Sequence, residues 1–434
     1  MSAIAQYLAW EGLAVGGSDR LGSADETREA REKLEACGCL LFPQDGSGVT
    51  ASTEGLVVST AIEGDNPDVA AARSRGIPVL HRSDVLAAIV ASRRTIAVCG
   101  TSGKSTVTAL VFEILRACGR SPSVITGANL LRLNEEGWLG NAFRGCSDLL
   151  VIEADESDGT LVKYHPEKAV FLNLSKDHQP VDQTLELFRQ LAGRTSLVIK
   201  NGDDPGLDSL PAARRFGLSA GADCRPEAVA AVTPGVRFTL QWTDFELPLP
   251  GRHNLSNALA ALCVCLDEGC SPEQIAGPMR SFKGIARRFA LFRTPKGVTV
   301  IDDYAHNPDK IRAALLTARD FGERIFAVFQ PHGYGPTRFL KDELIETFAR
   351  FIRNTDEVYF LPIYYPGGTA KKDISSEDLA GAVALRGVAS HASPNRRELI
   401  AALARRVQPG DAVILMGARD PSLAQLSREI RDGL

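Results

Sequence analysis

Residues 95–106 read Thr-Ile-Ala-Val-Cys-Gly-Thr-Ser-Gly-Lys-Ser-Thr: an apolar run, a loop bounded by two glycines, a lysine and two hydroxyl residues. N–H groups at a helix N-terminus bind anions, a lysine there reaches the β- and γ-phosphates, and the next hydroxyl can bind Mg²⁺. The loop is the short G-x-x-G-K-S form, because Val98 replaces the first glycine of the longer motif. A helical stretch, Val107 to Cys118, follows it, which favours a phosphate site over a chance Gly-Lys turn. We therefore predict that a nucleoside triphosphate contacts the loop residues Gly100, Thr101, Ser102, Gly103, Lys104, Ser105 and Thr106.

Bulk properties exclude several classes of function. Of the 434 residues, 44% are hydrophobic and 24% charged, which is typical of a packed protein of roughly two to four domains. The net charge of −4 argues against nucleic-acid partners, which usually require a basic excess. No apolar run reaches the ~18 residues that span a bilayer, and the N-terminus lacks the basic region of a signal peptide. We expect a cytoplasmic protein without a membrane partner. The nine cysteines lack metal-ligand spacing and are expected to be reduced.

Strand-like and helix-like segments alternate along the chain, which predicts an α/β fold with mostly parallel sheets. We expect three domains, at residues 1–92, 93–290 and 291–434, with the phosphate loop in the second. The first strand is expected at Leu13–Val15. The stretch between residues 205 and 250, rich in Gly and Pro, is expected to form an antiparallel edge of the central sheet.

Polar residues follow several predicted strands, where open α/β sheets bind ligands. The segment from Val151 to Asp158 places four carboxylates within six residues. Because like charges repel, such a cluster favours a bound cation, with a solvated acidic loop as the alternative. Glu153 directly follows an apolar run and is the best candidate for Mg²⁺. His178 is a candidate second metal ligand or proton carrier, or else an ordinary loop histidine.

Three further motifs are weaker when each is taken alone. Asn254 and Asn257 share one helical face and can pair with an adenine edge, although Asn is also an ordinary N-cap. Arg288 can stabilise a transferring phosphoryl group or belong to a surface basic pair. Asp303 and His306 suit ribose and phosphate contacts or form an ordinary polar turn.

Taken in order, these motifs resemble the Mur ligase family, the ATP-dependent amide ligases of peptidoglycan precursor synthesis, over essentially the whole chain. The members that add L-alanine to UDP-N-acetylmuramate are the most similar in three stretches: Val58-Ser-Thr-Ala-Ile62 with Asp65-Asn-Pro67, Glu153-Ala-Asp-Glu-Ser-Asp158, and Phe329-Gln-Pro-His332. The resemblance implies a Rossmann-like N-terminal domain for the UDP substrate, a central P-loop ATPase domain, and a C-terminal Rossmann-like domain that receives the amino acid. It also implies that the substrate carboxylate attacks the γ-phosphate of ATP, and that an amine then attacks the acyl phosphate.

The resemblance further implies roles for individual residues. The catalytic residues are expected to be Lys104, Glu153, His178 and Arg288. The ligands of Mg²⁺ are expected to be Ser105, Glu153 and His178. Beyond the loop, ATP contacts are expected from Asn254, Asn257, Arg288, Asp303 and His306. Contacts with the UDP-muramoyl substrate and the amino acid are expected from Ser18, Asp19, Ser59, Asp155, Ser157, His332 and Arg338.

The sequence departs from the family pattern in three places. In the alanine-adding members a strand and a Gly-rich turn, which cradles the UDP pyrophosphate, precede the point that corresponds to Met1; we expect a misassigned start or a truncated chain. Gly333 and Pro336 replace basic residues. The loops at Thr101-Ser102 and at Asp303-Tyr-Ala-His-Asn307 depart from the alanine-adding pattern, which favours histidine in both, and the Ala305-His306 pair looks more like that of the tripeptide-stage ligases. The alternatives are a Mur-type ligase for another acceptor, such as a recycled peptide, and an ATPase or binding protein without ligase activity. The oligomeric state is left open.

Overall fold

The computed structural model describes residues 1–20, 27–60, 62–176, 179–232, 235–365, 367 and 370–434. They form two compact units, one of residues 1–248 and 252–285, the other of residues 249–251 and 286–434. The α/β class with mostly parallel sheets is confirmed. None of the helices in these ranges is both long enough and apolar enough to cross a bilayer.

The first unit begins with two small parallel sheets. Its strands and helices up to residue 92 are α1 (Ser2–Trp10), β1 (Gly16–Ser18), α2 (Arg28–Ala36), β2 (Leu40–Phe42), β3 (Leu56–Val58), α3 (Pro67–Ser74), β4 (Val79–His81) and α4 (Arg82–Ala91). Strand β1 pairs with β2, and β3 pairs with β4. A capping box begins α4: the His81 ring accepts a hydrogen bond from Ser83 N, and the Asp84 carboxylate accepts one from His81 N.

The rest of the first unit contains a seven-stranded sheet, a separate three-stranded sheet and several helices. Its elements are β5 (Arg94–Cys99), α5 (Lys104–Ala117), β6 (Ser123–Ile125), α6 (Leu131–Glu135), β7 (Ala142–Phe143), β8 (Leu149–Glu153), a 3₁₀ turn (Thr160–Lys163), β9 (Lys168–Phe171), α7 (Val181–Ala192), β10 (Leu197–Asn201), a second 3₁₀ turn (Pro205–Leu207), β11 (Arg214–Phe216), β12 (Ala228–Val232), β13 (Gly235–Leu240), β14 (Thr243–Leu247), α8 (Arg252–Asp267) and α9 (Pro272–Arg280). The strand order is β11-β10-β9-β5-β8-β6-β7, and every pair except β6–β7 is parallel.

This order places the phosphate loop at the centre of the sheet. Strands β8 and β9 flank β5, so the residues after all three strands meet at one edge.

The prediction that residues 205–250 form an antiparallel edge of the central sheet is wrong. Strands β12, β13 and β14 form a separate three-stranded sheet, and the edge strand β11 is parallel to its neighbour.

The second unit contains a six-stranded sheet with helices on both faces. Its elements are β15 (Ala290–Arg293), β16 (Thr299–Asp303), α10 (Pro308–Ala318), a 3₁₀ turn (Arg319–Phe321), β17 (Ile325–Gln330), α11 (Tyr334–Phe339), α12 (Lys341–Phe351), β18 (Glu357–Phe360), α13 (Ser376–Ala384), β19 (Ser390–Ala392), α14 (Arg396–Arg406), β20 (Ala412–Gly417) and α15 (Leu423–Gly433). The order is β15-β16-β20-β17-β18-β19, and only β15 pairs in the antiparallel sense. Separate apolar clusters fill the two faces.

Candidate active site

The phosphate loop joins the buried strand β5 to α5. Its glycines take backbone angles that other residues rarely adopt, with φ +146° at Gly100 and +83° at Gly103. A Cβ atom on Gly100 would lie 3.0 Å from Cβ of Leu172, and one on Gly103 would lie 2.5 Å from Oδ1 of Asn257. Both positions therefore require glycine. Within the described residues no side chain caps α5 at Gly103, so N–H groups of its first turn can face an anion.

The segment after β9 holds this loop in place. Asn173 Oδ1 accepts hydrogen bonds from Ser102 N at 2.8 Å and Thr101 Oγ1 at 2.9 Å, and its Nδ2 donates to Ser102 O at 3.0 Å. Ser175 N donates to Thr101 Oγ1 at 3.0 Å, and Thr101 is buried. The Thr101 side chain and the Ser102 N–H, both in the predicted ATP contact, are thus engaged by the protein itself. Asn173 was missed by the sequence analysis, although it follows a strand just as the predicted acids do.

Lys104 is the first residue of α5, and its side chain folds back over the loop. Its Nζ donates to Gly100 O at 2.8 Å and pairs with Glu156 Oε2 at 2.6 Å, while Asp155 Oδ1 is 3.9 Å away. Burial acts to lower the pKa of Lys104, but the carboxylates of Glu156 and Asp155 outweigh it and raise the pKa. The amine is therefore charged at neutral pH. The lysine that is predicted to contact the γ-phosphate is paired with the carboxylate of Glu156.

Glu156 is the second residue that the sequence analysis missed. Its side chain is 3% exposed, and its Oε1 has no hydrogen-bond partner in the part of the chain that the structure describes. Burial raises the pKa of Glu156, and the charge of Lys104 opposes this rise. A buried acid with an unused oxygen is costly unless a donor or cation reaches it.

Glu153 and Ser105 meet beside the loop, as predicted. Ser105 Oγ donates to Glu153 Oε1 at 2.9 Å, and the other carboxylate oxygen accepts from Thr126 Oγ1 at 2.7 Å and Gly127 N at 3.0 Å. Hydroxyl and carboxylate oxygens are ligands that Mg²⁺ prefers. In the described ranges no group of three or more His, Cys, Asp or Glu side chains is arranged to hold a metal ion. A cation here would therefore also need oxygens from a phosphate or from water.

His178, predicted as a catalytic residue and metal ligand, lies outside the described residues. The described chain resumes at Gln179, whose Nε2 donates to Ser157 O at 3.2 Å and to Glu156 O at 3.4 Å. Ser157 Oγ in turn donates to Asp155 Oδ2 at 2.9 Å. The chain that follows His178 thus lies against the acidic segment at the end of β8.

The two asparagines of α8 lie beside the phosphate loop. Asn257 Nδ2 donates to Asn254 Oδ1 at 3.0 Å, and both side chains are buried. The close approach of Asn257 to Gly103 fixes their place at the start of α5. Their predicted contact with adenine stays a prediction.

The predicted substrate residues of the N-terminal region follow strands β1 and β3. Ser18 ends β1, and its Oγ donates to the Asp68 carboxylate, which also accepts from Gly46 N at 2.8 Å. Asp19 follows directly, and Ser59 comes directly after β3. Asp68, buried at the start of α3, was missed, because a first-turn acid is equally typical of any helix.

In the second unit, Arg288 and Asp303 lie at the carboxyl end of β16. The Arg288 guanidinium is 4.9 Å from the centre of the Tyr304 ring. Asp303 accepts hydrogen bonds from Ala305 N at 2.7 Å and from Phe289 N at 2.8 Å. Burial raises the pKa of Asp303, and the charge of Arg288 opposes it. These two predicted ATP contacts are thus brought together, and backbone donors fix the carboxylate of Asp303.

Arg287, the neighbour of Arg288, is held by contacts with β16 and β20. Its Nη2 donates to Gly417 O at 2.8 Å, and its Nε is 3.3 Å from Asp302 Oδ1. Burial raises the pKa of Asp302 to about 6, although Arg287 acts to lower it. Arg287 and Phe289 have φ of +58° and +52°, a strained backbone that clusters at functional sites.

His306 and His332 are also brought together, with ring centres 5.4 Å apart. The His306 Nδ1 is 2.9 Å from Tyr304 O. Arg338 pairs instead with Asp373, its Nε donating to Oδ1 at 2.9 Å.

Comparison with known proteins divides the chain into three successive ranges. Three family models match: "Mur ligase family, catalytic domain" at residues 1–94, "Mur ligase middle domain" at 98–265, and "Mur ligase, glutamate ligase domain" at 287–419. The sequence is 36% identical to UDP-N-acetylmuramate–L-alanine ligase of Gloeobacter violaceus, over 96% of this chain and 90% of the relative. It is 34% identical to the ligase of the same name from Pelotomaculum thermopropionicum, over 97% and 92%.

Solved structures show the same likeness. The crystal structure of UDP-N-acetylmuramate-alanine ligase from Thermotoga maritima matches with a TM-score of 0.80 and 26% identity, covering 100% of this chain and 96% of that one. A murein peptide ligase from Psychrobacter arcticus matches with a TM-score of 0.72 and 19% identity, over 100% and 96%. The second likeness is one of fold alone.

Proposed function

The chain belongs to the Mur ligase family, and on that premise we propose that it joins L-alanine to the carboxylate of UDP-N-acetylmuramate with ATP as the energy source. It is an ADP-forming amide ligase of peptidoglycan synthesis. The observation that carries the proposal is the similarity to alanine ligases along nearly the whole length of both chains. The loop around Lys104 supplies the triphosphate site that such a reaction needs.

The chemistry follows from the groups around this loop. An oxygen of the substrate carboxylate attacks the γ-phosphorus of ATP, the bond to the bridging oxygen breaks, and ADP leaves. The free amine of L-alanine then attacks the acyl carbon, phosphate leaves with the electrons of the C–O bond, and a proton is lost as the amide forms. Attack of one anion on another requires positive charge at the phosphate. Lys104, charged and held by Glu156, is positioned to exchange that carboxylate for a phosphate oxygen.

Mg²⁺ is part of the proposal. Ser105 and Glu153 would hold the ion, with phosphate oxygens completing its shell, and His178 keeps its predicted role at a second ion. Bound Mg²⁺ neutralises phosphate charge and draws the two anions together. Thr126 and Gly127 orient Glu153 by bonding the oxygen that faces away from Ser105.

The other predicted contacts are carried forward as proposals. ATP contacts beyond the loop are assigned to Asn254, Asn257, Arg288, Asp303 and His306. Substrate contacts are assigned to Ser18, Asp19, Ser59, Asp155, Ser157, His332 and Arg338. Backbone donors fix Asp303, and His306 lies near His332, which supports the role of both strand ends in binding. The three domains at residues 1–92, 93–290 and 291–434 likewise stay a prediction.

One feature favours a peptide acceptor as the second candidate. Gly333, which replaces a basic residue of the alanine-adding pattern, has φ +68° and would bring a Cβ atom within 3.2 Å of Pro336. The loop after His332 therefore has a conformation in which a basic side chain at position 333 is strained. A different acceptor would account for a changed loop at this position.

A phosphate-release assay with UDP-N-acetylmuramate and each common amino acid tests the proposal. We expect release only when the carboxylate substrate and L-alanine are both present. A murein tripeptide, tested in parallel, addresses the second candidate. Release that is independent of any amine would contradict both, since it would indicate an ATPase without ligase activity.

A further inference from the structure

The acidic segment at residues 153–158 is held at both of its ends. At its start, Glu153 is bound by Ser105, Thr126 and Gly127. At its end, Asp158 Oδ2 pairs with Arg82 Nη2 at 2.6 Å. Asp158 Oδ1 accepts from Thr160 N at 3.1 Å and from Thr160 Oγ1 at 2.5 Å. The first and last acids of the segment, Glu153 and Asp158, are therefore both held by hydrogen bonds to other parts of the chain.

The middle of the segment carries the residues that face Lys104. Glu156 pairs with its amine, and Asp155 is 3.9 Å away. Glu156 lies only two residues from Asp158, so the position of its carboxylate depends on how firmly the end of the segment is fixed. Asp158 is 10% exposed, and its pairing with Arg82 is a partly buried, charge-assisted hydrogen bond rather than a solvated surface contact.

Arg82 comes from a different part of the first unit. It is the first residue of α4 and follows directly on β4, in the region predicted to bind the UDP substrate. The contact with Asp158 thus links the N-terminal region to the surroundings of Lys104 through a few consecutive residues.

A second ion pair joins α4 to the 3₁₀ turn Thr160–Lys163 without touching the acidic segment. Lys163, in the 3₁₀ turn that follows the segment, pairs with Asp84 Oδ1 at 2.6 Å and donates to Ser83 Oγ at 3.0 Å. Lys163 and Asp84 are 41% and 48% exposed, and exposed pairs contribute little to stability. The pair is a matched control, because its loss weakens the contact between α4 and the chain just after the acidic segment while leaving Asp158 bound.

We propose that Arg82 is a positioning residue for the ligation reaction: by holding Asp158, it fixes the acidic segment so that Glu156 and Asp155 keep the amine of Lys104 aimed over the phosphate loop. The proposal rests on the ligase function proposed above. Arg82 acts through Asp158 and has no direct part in the chemistry.

The test compares Arg82→Met with Lys163→Met, and uses Arg82→Lys as the conservative variant. Because a small displacement of a catalytic group costs one to two orders of magnitude in rate, we expect Arg82→Met to lower kcat by roughly tenfold or more. The KM values should change little, and Arg82→Lys should recover part of the rate. Lys163→Met should stay within about twofold of the natural protein, since its pair is exposed.

A second readout does not depend on activity. The rate at which an amine-reactive acetylating reagent labels Lys104, followed by mass spectrometry, reports how firmly that amine is held. We expect several-fold faster labelling in Arg82→Met and in Asp158→Asn, and an unchanged rate in Lys163→Met. Thermal melting shows whether each variant is folded, and Asp158→Asn and Arg82→Lys still decide the question if Arg82→Met unfolds.

The outcomes separate the two proposals. Equal kcat and equal labelling in Arg82→Met and Lys163→Met would overturn the role of Arg82 and leave the ligase function standing. A rise in KM for the UDP substrate alone would also overturn it, because Arg82 would then contact substrate directly. If the natural protein ligates nothing, the proposed function fails, and the labelling of Lys104 still decides on Arg82.

Discussion

Replacing Lys104 by alanine should destabilise the protein as well as stop the reaction. The substitution removes the partner of Glu156, whose side chain is 3% exposed and whose Oε2 lies 2.6 Å from the lysine amine. Removing one member of a buried ion pair typically costs ~3–5 kcal/mol, because the other charge is left uncompensated. Lys104 is 12% exposed, so water can partly replace it. We therefore expect a loss near the lower end, about 3 kcal/mol of the free energy of unfolding.

A second substitution should undo the structural part of this loss. In Lys104→Ala/Glu156→Gln the buried charge is gone, and we expect most of the lost stability to return. Ligation should remain absent, because no amine reaches the phosphate. The double variant thus separates the structural cost of an unpaired acid from the catalytic role of the lysine.

Urea unfolding followed by circular dichroism measures the stabilities, and a coupled phosphate assay measures ligation. The sign of the pH dependence is an internal check. Burial raises the pKa of Glu156, so in Lys104→Ala the unpaired acid destabilises the fold at neutral pH and ceases to do so as falling pH protonates it. Equal stability of Lys104→Ala and the natural protein at neutral pH would disprove the cost of the unpaired Glu156, and ligation by the double variant would disprove the catalytic role of Lys104.

Three further predictions concern single substitutions. Glu153→Ala should abolish ligation while leaving the circular dichroism spectrum unchanged; unaltered turnover would refute the Mg²⁺ assignment. Gly103→Ala places a Cβ atom 2.5 Å from Asn257 Oδ1 in a backbone with φ +83°. The resulting strain of ~1–2 kcal/mol or more should weaken ATP binding about tenfold, as measured by calorimetry. Equal affinity would show that the loop tolerates a side chain. Because burial raises the pKa of Asp302 to about 6, its ionisation destabilises the fold as pH rises from 4 to 7, by about 2 kcal/mol relative to Asp302→Asn. Urea unfolding at both pH values checks this, and parallel pH profiles would contradict it.

Local signals were sufficient to predict the glycine loop between β5 and α5 and the place of Glu153 at the end of β8. A glycine-bounded turn between an apolar run and a helix has few alternative structures, and adjacent parallel strands bring their carboxyl ends together. The helix nevertheless begins at Lys104 rather than Val107, because Gly103 takes a left-handed conformation that ends the loop abruptly. The first strand is Gly16–Ser18 rather than Leu13–Val15, since its pairing with β2 outweighs the β-propensity of leucine and valine.

Long-range partners could not be read from the sequence. Asn173 binds Ser102 across 71 positions, and its place after a strand does not identify that partner. Of the four acids at residues 153–158, only the folded chain shows that Glu156 is the one buried against Lys104. Strands β12, β13 and β14 have the expected antiparallel pairing. That they form a sheet of their own, instead of extending the central sheet, depends on packing that local propensity does not encode.

In the proposed reaction, the loop around Lys104 presents the γ-phosphate of ATP to a substrate carboxylate. The most direct measurement uses UDP-N-acetylmuramate labelled with oxygen-18 in its carboxylate, followed by mass spectrometry of the phosphate released on ligation of L-alanine. We expect one labelled oxygen in each phosphate, because the acyl phosphate transfers that oxygen when the amide forms. Unlabelled phosphate, or label found in AMP instead, would contradict attack by the substrate carboxylate on the γ-phosphate.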